Sequence, residues 1–86
     1  MLSEENLAKL KKVAREKKLD PVHSEKVYLC LERRHSCTSK SISGETGIDE
    51  IIVEKILFIL CSLNEIWRDE FQGEVYYHPL LQNELA

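Results

Sequence analysis

The chain has 86 residues, 43% of them apolar and 31% charged, with a formal net charge of −3. That length holds one small core with little margin, and that balance excludes a disordered chain. Its longest apolar run, Ile51 to Cys61, is broken by Glu54-Lys55 and falls short of the ~20 residues that span a bilayer.

In chain order, Ser3-Glu4-Glu5 reads as a helix start, with Ser3 as cap, two acids in the first turn and Leu2 able to staple to Leu7. Leu7, Leu10, Val13 and Ala14 then fall on one face at helical spacing, with lysines and Arg15 around the rest. Residues 1–20 therefore form a basic amphipathic helix, with Lys17 and Lys18 in its last turn. Its plainest use is packing, with a solvated charged face.

Asp20-Pro21 ends that helix and opens the next, because proline suits the first helical position. This second helix runs to about Arg34 and buries Val27, Cys30 and Leu31. His35 to Ser39 offers a loop or a minimal strand. A short helix begins at Lys40 with Ile42 as its buried residue, and Gly44 inside it costs up to ~1 kcal/mol relative to alanine. Gly47 can stop this helix in the left-handed conformation. Asp49 caps a longer helix, Glu50 to Leu63, and Asn64 ends it. Ile66 to Glu70 and Val75 to His78 flank Phe71-Gln72-Gly73-Glu74, a β-hairpin pattern. Leu80-Leu81 are expected to cap the core, and residues 81–86 to form a frayed tail.

The order of short helix, tight turn, longer helix and hairpin resembles a winged helix-turn-helix. Winged-helix families close a small helix on a glycine and an apolar residue, here Gly47 and Ile48. Core positions recur along the next helix, here Val53, Ile56, Leu57 and Leu60, followed by a turn residue and the wing, here Asn64, Ile66 and residues 67–78. Asn64-Glu65-Ile66-Trp67 followed by Val75-Tyr76-Tyr77 looks most like the small winged-helix modules of replication proteins. Those include the C-terminal modules of the minichromosome-maintenance helicase and of the middle subunit of replication protein A. The resemblance spans roughly residues 22–79. It implies an α+β winged-helix domain over residues 21–80, preceded by an added helix. It carries fold more firmly than role, because its motif is apolar spacing.

Charge placement bears on role. Residues 43–75 carry eight acids against Lys55 and Arg68, whereas residues 1–20 carry six bases against four acids. In DNA-reading relatives the outward positions of the longer helix present donors to bases and phosphates. Here those positions read Glu50, Ile51, Ile52, Glu54, Lys55, Phe58, Ile59, Cys61, Ser62 and Leu63. The expected partner-binding set is Ile51, Ile52, Phe58, Ile59 and Leu63. Its cover can be the N-terminal helix through Leu7, Leu10 and Val13, a second copy, or a partner helix. Phosphate contacts, if made, fall to Lys9, Lys11, Lys12, Arg15, Lys17, Lys18, Arg33, Arg34, Lys40 and Arg68, and would be sequence-indifferent. Trp67, Tyr76 and Tyr77 suit hairpin packing better than base stacking, which needs a positive groove.

No zinc spacing links Cys30, His35 and Cys37, nothing orients a Cys/His pair, and no glycine-rich phosphate loop occurs. A non-enzymatic module is expected, with no metal or cofactor, no small-molecule substrate and no membrane partner. Its expected partners are a protein or its own copy, and DNA without sequence preference. Three widely spaced cysteines and no secretory leader lead to an expected cytoplasmic location, or nuclear in a eukaryote.

Overall fold

A computed structural model describes residues 4–79. Four helices precede one antiparallel hairpin: α1 (Glu4–Glu16), α2 (Pro21–Arg34), α3 (Ser39–Thr46), α4 (Glu50–Ser62), β1 (Ile66–Phe71) and β2 (Glu74–Pro79). The chain is therefore α+β. The expected cap at Ser3, the Leu2 staple, and the roles given to Leu80, Leu81 and the tail lie outside the described residues.

Local chemistry sets most boundaries. Lys17 and Lys18 are not in the last turn of α1, which ends at Glu16. Lys18 takes a left-handed φ of 62°, and the Leu19 N–H donates back to the Ala14 carbonyl at 2.7 Å. This is a helix stop usually built on glycine. The Asp20 carboxylate accepts the Val22 N–H at 2.8 Å, with Pro21 at the first position of α2. Thr38 caps α3, accepting the Ser41 N–H at 3.1 Å while the Ser41 hydroxyl accepts the Thr38 N–H at 3.3 Å. This reciprocal capping box starts the helix at Ser39, one residue before the expected Lys40. Gly47 at φ 77° ends it. Asp49 caps α4 by accepting the Ile51 N–H at 2.9 Å, and Asn64 turns the chain out of it at φ 60°.

The hairpin closes on a two-residue turn, Gln72 at φ 53° and Gly73 at φ 82°. Two successive positive φ values match the twist of the strands they join. The register pairs Ile66 with Pro79, Trp67 with His78, and Phe71 with Glu74. One further residue joins this sheet. The Cys37 N–H donates to the Tyr77 carbonyl at 3.1 Å, and the Tyr77 N–H donates to the Cys37 carbonyl at 2.7 Å. The segment between α2 and α3 thus supplies a minimal strand, and β2 lies between it and β1.

One core joins all the elements. Val27, Cys30 and Leu31 of α2 are buried with Val53, Ile56, Leu57 and Leu60 of α4, as their spacing required. Ile42 of α3, Ile48 of the turn after it and Ile66 of β1 close the core. Leu10 is fully buried in the same cluster, with Leu7 and Val13 packed against it, because α1 lies on both α2 and α4.

Candidate interaction face on the fourth helix

Packing of α1 divides the apolar residues of α4 into two sets. Ile59 was expected on the partner-binding surface, and that is corrected: it is 1% exposed and belongs to the core. Ile52 and Leu63 are half-buried and pack against the same cluster. The N-terminal helix packs on α4 and joins the same cluster through Leu7, Leu10 and Val13. Ile51 and Phe58 remain outside, 63% and 71% exposed. They stand seven residues apart, hence one above the other on a helix.

A groove of about 770 Å³ runs between α4 and the hairpin, lined among others by Phe58, Cys61, Ile66, Trp67, Arg68 and Tyr77. A smaller one of about 430 Å³ lies on the α1 side, lined by Lys17, Leu19, Ile51, Glu54, Lys55 and Phe58. Glu54 and Phe58 line both, so they form the ridge between them. The Ser39 hydroxyl lies 3.1 Å from a Glu50 carboxylate oxygen and 3.2 Å from one of Glu54. With a single proton it donates to one at a time, so both carboxylates are held at the hairpin side.

Trp67 stacks on His78, their ring centres 4.4 Å apart. The register puts both on the same face of the hairpin as Phe71 and Tyr76. Trp67 and Phe71 are exposed, whereas Tyr76 and Tyr77 are half-buried. The exposure of Phe71 was missed in the sequence, since it stands where a turn or a strand end was equally readable. The buried Nε2 of His78 has no hydrogen-bond partner among the described residues.

The candidate phosphate contacts are scattered. Lys9, Lys12, Arg15, Lys17 and Lys18 are exposed on or just beyond α1. Lys11 is half-buried and pairs with Glu25 at 3.1 Å. Arg33 and Arg34 both close on Glu45, Arg34 at 2.7 Å, which ties the end of α2 to α3. Their guanidinium groups, Arg34 first, hold the Glu45 carboxyl below its usual range. Lys40 is exposed on α3. Arg68 lines the hairpin groove beside Glu54, with no α1 residue in that lining.

The three thiols are free. Burial, followed by neighbouring Cys30, pushes the Cys37 thiol up to about 11. Burial also raises Cys30 and Cys61, which disfavours the thiolate in all three. Among the described residues no group of three or more His, Cys, Asp or Glu side chains is placed to hold a metal ion, and no helix is long and apolar enough to cross a membrane. Comparison with protein-family models, curated proteins and solved structures finds no match to this chain.

Proposed function

We propose that the protein is a non-enzymatic winged-helix module acting through protein–protein contacts or homodimerisation, in a nucleic-acid-associated process such as replication or transcription. The layout of a short helix, a capped longer helix and a hairpin with a minimal strand on its other side supports the winged-helix assignment. The process is drawn from the resemblance to replication-protein modules. One observation carries the role. The outward face of α4, where such folds place their DNA-reading donors, instead presents exposed Ile51 and Phe58 beside the carboxylates of Glu50 and Glu54. Apolar surface there is suited to protein, and carboxylates there repel phosphate. Free thiols fit a reducing compartment, cytoplasmic or nuclear.

A second reading is favoured by the exposed Lys9, Lys12, Arg15, Lys17 and Lys18. On that reading the protein is a DNA-binding regulator that contacts the phosphate backbone through α1, with Lys40 and Arg68 adding to it. Fluorescence anisotropy of a labelled mixed-sequence duplex, titrated from low to physiological salt, separates the two. The interaction-module reading expects no binding at physiological salt. Binding that appears only at low salt is the sequence-indifferent contact of the α1 lysines. Binding that survives physiological salt overturns the interaction reading.

A further inference from the structure

Alternation along the hairpin sends Trp67, Asp69 and Phe71 of β1 and Glu74, Tyr76 and His78 of β2 to one face. The register sets them in three rows, Trp67 with His78, Asp69 with Tyr76, and Phe71 with Glu74. Each carboxylate therefore has an aromatic residue directly opposite, at the ~4.5–5.5 Å between Cβ atoms of paired positions. Asp69 also has Trp67 and Phe71 on either side along its own strand. Trp67, Asp69, Phe71 and Glu74 are all exposed. Neither carboxylate makes an ion pair among the described residues. The face holds no lysine or arginine, and its one group able to carry positive charge, His78, is stacked on Trp67 with its Nε2 buried. Arg68 and Glu70 alternate to the opposite side and offset one another; Arg68 lines the groove toward α4, whose rim Trp67 also reaches.

Exposed rings alone would suit any apolar partner, and exposed carboxylates alone are an ordinary solvated surface. Interleaved, they define one chemistry. A cation beside Asp69 meets a carboxylate with three aromatic residues around it, and ring faces attract cations within about 6 Å of their centres. A guanidinium suits the site better than an ammonium, because its plane stacks on a ring while its edge forks to a carboxylate. Glu74 stands diagonal to Asp69, ~7–8 Å away, close to the ~6.4–6.8 Å between alternate residues of an extended chain. We infer that this face of the hairpin is a docking site for an extended Arg-x-Arg segment of a partner protein, its two guanidinium groups seated on Asp69 and Glu74 against Trp67, Phe71 and Tyr76. The contact is made by side chains across the face, not by backbone pairing at the edge of the sheet. Unpaired carboxylates of a single sign give the segment its orientation and exclude phosphate. The site is a different surface from Ile51 and Phe58 of α4, and it holds on either reading of that helix.

Trp67 is the only tryptophan of the chain, so its fluorescence reports on the site directly. The test titrates the full chain with a blocked Arg-Ser-Arg peptide, with thermal melts as the control that each variant is folded. A saturable change in Trp67 emission is expected, and none with Gln-Ser-Gln. Asp69→Asn and Glu74→Gln are each expected to raise the Kd about threefold, as loss of an exposed ion pair does, and Phe71→Ala to do the same through the lost ring. Glu16→Gln removes one carboxylate from the end of α1, a helix packed on α2 and α4, and is expected to leave the Kd unchanged. An Arg-Arg-Ser isomer, whose adjacent arginines point to opposite sides of an extended chain, is expected to bind several-fold more weakly. The inference is overturned by the absence of a saturable change or by an equal change with Gln-Ser-Gln. It is overturned as well if Asp69→Asn and Glu74→Gln lose no more than Glu16→Gln, or if the isomer binds as tightly as Arg-Ser-Arg.

Discussion

At the scale of single residues, the ends of elements were legible because the chemistry that sets them is local. Asp20-Pro21, Gly47, Asp49 and Asn64 each cap or turn the chain using their own side chain or backbone freedom. Burial of neighbouring apolar residues was less legible. Phe58 and Ile59 are adjacent and both apolar, yet one is exposed and the other is core. Which of them is covered depends on where α1 docks, a tertiary fact absent from local spacing. Glu65 is a similar case, a charged residue in the turn after α4 that is buried. Burial raises its carboxyl above the ordinary range, and Lys9 offsets this in part. Since the folded pKa exceeds the unfolded one, ionisation of Glu65 opposes folding. That cost is present above the raised value and absent below the ordinary ~4.3. Glu65→Gln is expected to raise the melting temperature by a few degrees at pH 7. The gain should vanish as the pH is lowered through 4, which thermal melts across that range will read.

At the scale of elements, the hairpin was legible in outline, and its partner strand only as one of two readings of His35 to Ser39, a loop or a minimal strand. The aromatic and β-branched runs around Gln72-Gly73 announce two strands and a turn. The pairing of Cys37 with Tyr77 joins the segment between α2 and α3 to β2, on which both of those helices pack. The turn itself makes a clear demand. Gly73 sits at φ 82° with open space where a Cβ would stand. Gly73→Ala therefore costs backbone strain without a clash, about 1 kcal/mol. Urea unfolding should show that loss as a lower midpoint with an unchanged slope. A neutral result would mean the turn relaxes to another type.

At the scale of the whole molecule, α1 is part of the core rather than an arm beside it. Its Leu10 is fully buried among α2 and α4 side chains, and Ala14 is buried on the same face. Leu10→Ala is expected to cost ~2–5 kcal/mol, as for other fully buried leucines, and to lower the midpoint of one cooperative transition. Separate melting of α1 at unchanged stability of the remainder would contradict that. The amphipathic spacing of Leu7, Leu10 and Val13 announced a packing helix, but several surfaces could have received it. The structure puts it on α4, which is why only Ile51 and Phe58 stay open there.

The hairpin also constrains how copies of this chain can meet. Because β2 lies between Cys37 and β1, the outer edge of the sheet is β1, and its middle is Arg68-Asp69-Glu70. Three consecutive charges on an edge strand discourage backbone pairing with another molecule. Growth by strand addition, the route to open-ended fibrils, is thereby disfavoured.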